Sequence, residues 1–558
     1  MNLRNVICTC MIAVLAIFTA SAGNISSTAA RAAANSFLKQ QAAAAHGSFN
    51  APAMADIKLA HAEPSSKVAG ANAYYAFNIT GGGFVIITGE DRATQVLGYS
   101  DKGRIDFNNL PDPLKDLLDS YKREIEFLQT YEGDDLVPLT NTMFSASNGV
   151  EPLIKTTWGQ EMPYYLQCPI YNGEYCVVGC VATAMAQVMN YWQYPTQSSS
   201  LARFYSYGYG YVDALPATTF DYSLMLDSYC HWDWDNSELI QDTYTDAQAQ
   251  EVAKLGRYCG QAAEMQYSPE GSGAYTQDQL TAMKNFGYTN ASYVSKGSSG
   301  GWGSYGGGYT TTQWENMLKE ELDAGRPILY SANDPSAGGH AFICDGYNSN
   351  GYFHFNLGWY GTCDGWYAST SLRMVHREGD QLNFSSGHEI VYKLEPPTYC
   401  IINAENVDAN TDMLILGENL AAVANNVTLR TSYNNVNLMF TLTDANGNQV
   451  GNSNSINVSK NSFTQGSNIE GTLKLPTTLE PGTYEVLFNY YTTSTNALTT
   501  INRAEGKLVV VGHVAKFNGT FNVSDVTTLI NYILNSYPSE VTLNVNDVTT
   551  LIHYILNQ

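Results

Sequence analysis

Cys180 is the residue of this chain whose type and position are best suited to chemistry. It begins a predicted helix in the stretch GCVATAMAQVMNYWQYP (179–195), where apolar residues follow a 3.6-residue period between Gly179 and Pro195. Unpaired backbone N–H groups and the positive end of the helix dipole favour a thiolate over a thiol in a first turn. A thiolate there could act as a nucleophile, although most cysteines outside disulfides are small buried apolar residues.

A cysteine nucleophile needs an imidazole to pair with it, a group that orients the imidazole, and donors for the oxyanion. His340 lies in GGHAFICDGY (338–347), where two glycines precede a predicted strand. His354 lies two residues before Asn356, and strand alternation places both on one face. The pattern alone therefore leaves two histidines as candidate bases.

The elements around these residues predict an α+β arrangement. A helix from about Thr312 to Ala324 follows a glycine-rich loop (297–308), and short strands with glycine turns occupy 325–367. Upstream, two strands are predicted around the Gly81–Gly83 turn, followed by a helix over 112–131 and an exposed linker over 140–150. Alternating runs between 400 and 511 predict a β-sandwich of immunoglobulin-like size.

The N-terminus has the pattern of a secretory signal peptide. Arg4 precedes an apolar run of about a dozen residues that ends at Ala20-Ser21-Ala22, which predicts cleavage after Ala22. The run is too short to span a bilayer, and no later stretch predicts a transmembrane helix. We therefore expect a secreted or cell-surface protein without membrane insertion.

Charge and cysteine content exclude several classes of protein. The 558-residue chain has a formal net charge of −24, which argues against nucleic acid and anionic membrane surfaces as partners. Eight cysteines remain after signal removal, too few for a fold built on disulfides. Cys176 and Cys180 have no second ligand pair at zinc-finger spacing, so no zinc site is predicted.

Five motifs together resemble the streptopain family of secreted cysteine proteases. They are WGQ-x-x-PYY (158–165), GCVATAMAQVMNYWQYP (179–195), GRPILYS (325–331), GHAFICDGY (339–347) and FNLGWYG-x-x-DGWY (355–367). The resemblance covers about residues 24–398. It implies a papain-like fold and a zymogen whose N-terminal prodomain blocks the active site until proteolysis removes it.

The resemblance also assigns roles to individual residues. It implies that Cys180 is the nucleophile, that His340 is its base, and that the Gln160 side-chain amide lines the oxyanion hole. Asn356 and Trp359 match a stretch that flanks and shields the histidine.

Three positions depart from the family pattern. Tyr360 replaces a glycine, and Leu357 replaces a tryptophan that covers the histidine in the family. Because leucine would shield the histidine less, we expect retained activity with a weaker or shifted pH profile. Cys176 has no counterpart in the pattern. It could be simply buried, paired with Cys168, or reversibly paired with Cys180 under oxidation.

The C-terminal tail is an internal repeat that resembles a dockerin. NVSDVTTLINYILN (522–535) and NVNDVTTLIHYILN (544–557) match at 12 of 14 positions. In a dockerin each half is a calcium loop followed by a helix, and the weak ligand candidates here are Asn518, Asn522, Asp525, Asn544 and Asp547. Loop positions 1 and 3 carry Val514 and Lys516, or Ser536 and Pro538, so we expect weak calcium binding or none, and no other cofactor.

The predicted organisation is a signal peptide (1–22), an inhibitory prodomain (23–148), a papain-like peptidase domain (149–398), a β-sandwich (399–511) and a dockerin-like helix pair (512–558). The predicted function is a secreted cysteine endopeptidase that acts on proteins or peptides, with a cohesin-like or cell-surface partner for the tail. Two alternatives stay open: a noncatalytic adhesin on a protease scaffold, and another Cys-His acyl-transfer enzyme such as a transglutaminase or amidase.

Overall fold

The computed structural model describes residues 23–44, 52–133, 135–138, 149–234, 238–297, 308–334, 338–372, 374–376, 387–409, 411, 413–492, 495–518, 520–535 and 541–557. The predicted signal peptide, most of the predicted linker and most of the glycine-rich loop lie outside the described residues. The chain divides into two compact units, one up to Pro396 and one over Pro397–Gln558.

One antiparallel sheet of 11 strands runs through the first unit. Its strands are β1 (Ile57–Pro64), β2 (Asn72–Ile79), β3 (Phe84–Thr88), β4 (Val96–Ser100), β5 (Gly149–Val150), β6 (Ser292–Ser295), β7 (Ile328–Asp334), β8 (Gly338–Asn348), β9 (Phe353–Asn356), β10 (Gly365–Tyr367) and β11 (His388–Tyr392). The spatial order is β1-β2-β3-β4-β10-β9-β8-β7-β11-β6, and β5 pairs with β8. The predicted turn between β2 and β3 is present, with Gly81–Gly83 at positive φ.

Six α-helices of the first unit lie within the described residues. They are α1 (Ser27–Ala44), α2 (Asp112–Thr130), α3 (Cys180–Trp192), α4 (Asp246–Ala262), α5 (Thr276–Asn285) and α6 (Thr311–Asp323). Reciprocal capping boxes satisfy the first backbone N–H groups of α4, through Thr245 and Gln248, and of α6, through Thr310 and Gln313. The predicted helices over 112–131, 181–192 and 312–324 agree with α2, α3 and α6 to within a residue or two.

The N-terminal region and the predicted peptidase domain share one core. Leu114 and Tyr121 of α2 belong to the same buried cluster as Trp314 of α6 and Phe355 of β9. The two parts also form one continuous sheet, because β4 pairs with β10 through Tyr99 and Trp366. Burial of apolar area therefore ties the two parts together along both the sheet and the helix layer.

Among the described residues, five two-stranded sheets complete the first unit. Their strands are Ile170–Tyr171 with Glu174–Tyr175, Gln197–Ser198 with Thr218–Thr219, Phe204–Ser206 with Gly210–Val212, Cys230–Asp233 with Glu238–Gln241, and Leu136–Pro138 with Met374–His376.

Two antiparallel sheets share the core of the second unit. The smaller consists of Cys400–Asn403, Asn406–Asp408, Asn419–Thr431 and Ser467–Lys474. The larger consists of Leu414–Ile415, Asn435–Thr443, Gln449–Asn452, Ile456–Ser459, Gly482–Thr492, Thr495–Arg503, Leu508–Val511 and Val514–Phe517. The last of these strands follows position 511, where we predicted the sandwich to end, and pairs in the same sheet.

Helices α7 (Val523–Leu534) and α8 (Val545–Leu556) correspond to the two sequence repeats. They pack on each other through Leu529 and Leu551, beside Val514 of the adjoining sheet. Each helix starts with a capping box between an asparagine and an aspartate three residues later. None of the helices among the described residues combines the length and apolar character that a membrane span requires.

Candidate active site

The backbone before α3 places Cys180 at the first position of the helix. Gly179 has a φ of 88°, and a Cβ atom there would stand 2.7 Å from the Ser272 carbonyl oxygen. A larger residue would therefore meet both an unfavourable conformation and a clash. Thr183 donates its N–H to the Gly179 carbonyl at 3.0 Å, which closes the first turn of the helix.

The Cys180 thiol is buried and contacts the strand that carries His340. Its side chain is 8% exposed, and the N–H of Ala341 donates to Sγ at 3.4 Å. Burial raises the pKa of Cys180, and the backbone N–H groups of Ala341 and Val181 only partly oppose that effect. The helix position that favours a thiolate is thus outweighed by burial in this form of the protein.

His340 is half-buried on β8, next to Ala341, whose N–H contacts the Cys180 sulfur. Burial lowers its pKa, while the charges of Asp112 and Lys115 in the first turn of α2 act in opposite directions. Asp112 also raises the pKa of Cys180. The start of α2 therefore lies close enough to influence both predicted catalytic groups.

A cleft of about 560 Å³ begins at these residues. Val181, His340 and Ala341 line it on the side of the thiol, and Tyr275, Ser331 and Glu389 are among the residues that line it elsewhere. A cleft of this size can receive several residues of an extended peptide.

Gln160 lies beside the segment that leads into α3. Its carbonyl accepts the N–H of Val178 at 3.0 Å, and its side chain is partly exposed. The ring of Tyr360 packs directly on Gly159, and the Tyr360 hydroxyl accepts the N–H of Glu161 at 3.0 Å. Tyr360 thus holds both neighbours of Gln160, a contact that sequence reasoning missed.

Asn356 is buried in a network that joins three segments. Its amide donates to the Thr156 carbonyl at 2.7 Å and accepts from the Gln187 side chain at 3.0 Å. Gln187, two turns after Cys180, also accepts from the Thr156 hydroxyl at 2.8 Å. The structure places Asn356 in this network, whereas the His340 ring makes no hydrogen bond to another described residue. Gln187 is fully buried. The signal that the sequence offered for it was a glutamine among the apolar residues of the predicted helix.

The residues after Asn356 lie against α3. Trp359 is partly exposed, and Gly358 approaches Thr183 so closely that an added Cβ would stand 3.4 Å from its methyl carbon. Leu357 is 1% exposed within the shared core. Tyr360 has a φ of 57°, a conformation that suits the glycine it replaces.

His354, the competing base, is held in an ion pair. Its Nδ1 lies 2.6 Å from Oδ1 of Asp345, whose side chain is fully buried and also accepts the N–H of Ile154 at 2.9 Å. Burial lowers the pKa of His354, but the charge and hydrogen bond of Asp345 outweigh burial and raise it overall. The structure therefore gives His354 a carboxylate partner and leaves His340 at the cleft.

Eight cysteines are free thiols among the described residues. Cys176 is completely buried, so the structure agrees with the first of its three interpretations and contains neither of the two disulfides. Its backbone N–H is bonded to the Pro169 carbonyl at 2.8 Å, which fixes the approach to Gly179.

The calcium candidates of the tail make hydrogen bonds and ion pairs within the protein. Asp525 binds the Lys516 ammonium at 3.0 Å, and Asp547 binds the His513 ring at 2.9 Å. Asn522 and Asn544 act as helix caps, and Asn518 has a φ of 64°. Calcium binding and a docking partner stay predictions.

Comparison with known proteins identifies two parts of the first unit. The Peptidase C10 family model matches residues 158–367, and the Spi protease inhibitor model matches residues 22–125. Streptopain of Streptococcus pyogenes is 28% identical over 364 residues, which cover 62% of this chain and 84% of streptopain.

Two further relatives are proteases by name. The thiol protease/hemagglutinin PrtT of Porphyromonas gingivalis is 27% identical over 333 residues, which cover 56% of this chain and 36% of PrtT. The solved structure of active wild-type Prevotella intermedia interpain A cysteine protease is 32% identical, covers 44% of this chain and 95% of interpain A, and has a TM-score of 0.36. Residues 158–367 thus match the Peptidase C10 family model, and the chain is a cysteine-type peptidase.

Proposed function

We propose that this protein is a secreted cysteine endopeptidase made as a zymogen, in which residues 23–148 form an inhibitory prodomain. The observation that carries the proposal is the contact between the Ala341 N–H and the Cys180 sulfur, beside His340 at the cleft. This contact brings the predicted nucleophile and the predicted base to one end of a groove that can hold a peptide.

In the proposed mechanism His340 takes the proton of Cys180, and the thiolate attacks the carbonyl carbon of the scissile peptide bond. The Gln160 side-chain amide and the Cys180 backbone N–H donate to the oxyanion. His340 then protonates the leaving amine, and water hydrolyses the thioester with His340 as its base. Asn356 and Gln187 act by fixing α3 against the segment that carries Gln160.

The zymogen part of the proposal is supported by the position of α2. Its first turn lies near Cys180 and His340, burial raises the pKa of the thiol and lowers that of the imidazole, and both shifts favour the neutral pair. The match of residues 22–125 to a protease inhibitor model supports the same role. Removing this region would let water reach the pair and favour the charged form.

Two cysteine variants test the proposal. Residues 23–558 are expressed as wild type, Cys180→Ala and Cys176→Ala, and each is followed by gel and by casein cleavage with and without an epoxide thiol inhibitor. We expect the wild type and Cys176→Ala to lose about 125 residues and digest casein, because Cys176 is buried away from the proposed chemistry. Cys180→Ala should stay at full length and inert.

Casein cleavage by Cys180→Ala would refute the assigned nucleophile. If all three proteins stay inert even after another protease cuts the 139–148 segment, the peptidase proposal fails and the adhesin alternative gains support. Incorporation of amines into casein without cleavage would instead favour the acyl-transfer alternative.

A further inference from the structure

Three side chains form a row across the floor of the cleft. Ser331 on β7 pairs directly with Ala341 on β8 and with Glu389 on β11. Directly paired residues of neighbouring strands point to the same face of a sheet. All three line the cleft, so they present one continuous surface, which we call the Ala341–Ser331–Glu389 row.

The row leads from the nucleophile to a carboxylate. Ala341 contacts the Cys180 sulfur through its N–H, and Glu389 lies two strands away. Because neighbouring strands are about 4.8 Å apart, the backbones at the two ends of the row are roughly 10 Å apart. A long side chain of a bound peptide, lying along the row from the thiol, would end near Glu389.

Ser331 supplies an independent indication that a ligand belongs here. Its side chain is 3% exposed, and its Oγ has no hydrogen-bond partner among the described residues. A buried hydroxyl without a partner is destabilising, because it has given up its hydrogen bonds to water. A polar group of a bound substrate would satisfy it.

Glu389 is the acidic side chain of the cleft. Among the described lining residues there is no lysine or arginine, and none of the described basic residues pairs with Glu389. The Tyr293 hydroxyl donates to its Oε1 at 2.7 Å, which orients the carboxylate and leaves Oε2 for a ligand. The combination of a small residue, an unpaired hydroxyl and an oriented carboxylate fits a side chain with an aliphatic stem and a cationic end.

We propose that the Ala341–Ser331–Glu389 row is a specificity subsite that receives a lysine or arginine side chain of the protein substrate. The aliphatic stem lies over Ala341, Ser331 Oγ accepts an N–H of the cationic group, and Glu389 neutralises its charge. This proposal rests on the proposed peptidase function, since it assigns a substrate class to the same cleft.

The test uses the fully processed enzyme and fluorogenic peptides. One of the three residues on the acyl side of the scissile bond is varied at a time among arginine, norleucine and glutamate. At one position we expect kcat/KM to be at least about tenfold higher for arginine than for norleucine. Glutamate at that position should be the poorest substrate.

Glu389→Gln removes the charge and keeps the acceptor for Tyr293, so the arginine-to-norleucine ratio of kcat/KM should fall to about one. Glu389→Lys should make glutamate the best residue at the same position. Glu270→Gln is the matched control, because it removes an exposed carboxylate a few residues from the cleft residue Gly273. Its ratio should match that of the wild type.

Equal rates for arginine and norleucine at all three positions would overturn the subsite while leaving the peptidase intact. A ratio that survives Glu389→Gln would also overturn it. If the wild type cleaves none of the peptides and no casein, the peptidase function itself has failed, and the subsite fails with it.

Discussion

His340 and His354 lie on the neighbouring strands β8 and β9, yet their surroundings differ in every respect that matters for chemistry. His354 is paired with a fully buried carboxylate, and the edge of its ring packs against Trp366 at 5.2 Å between ring centres. The His340 ring has no such partner and lines the cleft beside Cys180, the proposed nucleophile. Their pKa values move in opposite directions, upward for His354 and downward for His340.

The difference shows that cross-strand partners, rather than the local sequence motif, set the surroundings of each histidine in this sheet. The pairing of β8 with β9 shifts by one residue between Cys344 and Gly346, and Asp345 is the extra residue of this bulge. A bulge re-aims a side chain out of the regular alternation. Here it brings the Asp345 carboxylate to His354. We therefore assign a structural role to His354 and keep the proposed catalytic role for His340.

The largest expected effect comes from replacing each histidine in turn. His340→Leu should lower kcat/KM roughly a thousandfold, because general-base assistance contributes about 10² to 10⁴. His354→Leu should instead destabilise the fold by about 3–5 kcal/mol, because it leaves the buried Asp345 carboxylate without its partner. Thermal unfolding and kcat per folded molecule, measured on both variants, separate the two effects.

A second variant checks the cause of the instability. Combining His354→Leu with Asp345→Leu removes both members of the pair and should recover part of the lost stability, since no unpaired charge remains. The structural role of His354 would be contradicted if His354→Leu unfolded at the wild-type temperature but lost activity as completely as His340→Leu.

A smaller effect is expected from Tyr360, which contacts the backbone on both sides of Gln160. Tyr360→Phe keeps the ring on Gly159 and removes the acceptor for the Glu161 N–H, so Gln160 loses one of its two anchored neighbours. We expect kcat to fall roughly tenfold with little change in KM, because the oxyanion is bound in the transition state.

Alkylation of Cys180 by iodoacetamide is the control for Tyr360→Phe. That reaction needs the thiolate and no oxyanion hole, so its rate should match that of the wild type. Equal losses in alkylation and peptide hydrolysis would mean that Tyr360 acts on the thiol or on the fold as a whole.

The two histidines also make opposite contributions to stability as pH changes. His354 has a raised pKa in the folded state, so its contribution is complete below its ordinary pKa of 6.5 and is lost as pH rises through the folded value. Burial raises the pKa of Asp364 to about 7, so this carboxyl group also stabilises the fold less as pH rises. His340, with a lowered pKa, destabilises the fold when pH falls, because its protonated form is disfavoured there.

The direction of each histidine's contribution to stability can be measured by thermal unfolding of the inactive Cys180→Ala variant between pH 5 and pH 8. Adding His354→Gln should flatten the fall in unfolding temperature above pH 6, and adding His340→Gln should make the fall steeper by removing the opposing contribution. The same response from both variants would contradict the contrast between the two environments.

Local features of the site could be predicted from the sequence, and features that depend on distant strands could not. The start of α3 at Cys180 was predicted from the apolar periodicity and from Gly179 and Pro195 at its ends. All of these are short-range signals. The pairing of His354 with Asp345 depends on a bulge, and alternation alone places His354 with Asn356 on one face. No sequence pattern within β8 or β9 predicts the register shift at Asp345.

The continuous sheet is a second feature that the sequence could not indicate. β4 and β10 are separated by more than 260 residues, and their pairing follows from the packing of α2 on the shared core. Likewise Asn356 was expected to flank the histidine, but its hydrogen bonds go to Thr156 and Gln187. Partners of buried amides are decided by tertiary contacts, which a motif does not contain.

The smallest expected effect concerns Leu357, where the family pattern has a tryptophan. Leu357 is buried in the shared core at the end of β9, and its N–H donates to Asp364 at 2.8 Å. Leu357→Trp should therefore destabilise the fold by about 1–3 kcal/mol through overpacking. If this position shields His340, the substitution should also shift the acidic limb of the kcat/KM profile, by less than one pH unit.

Leu357→Met, which conserves volume without an aromatic ring, is the matched control. A shift with tryptophan and none with methionine would mean that the indole changes the environment of His340, and that this chain works with a less shielded base than the family pattern implies. An unchanged profile with both variants would mean that Leu357, like His354, has a structural role. The pKa of His340 would then be set by the cleft and by α2.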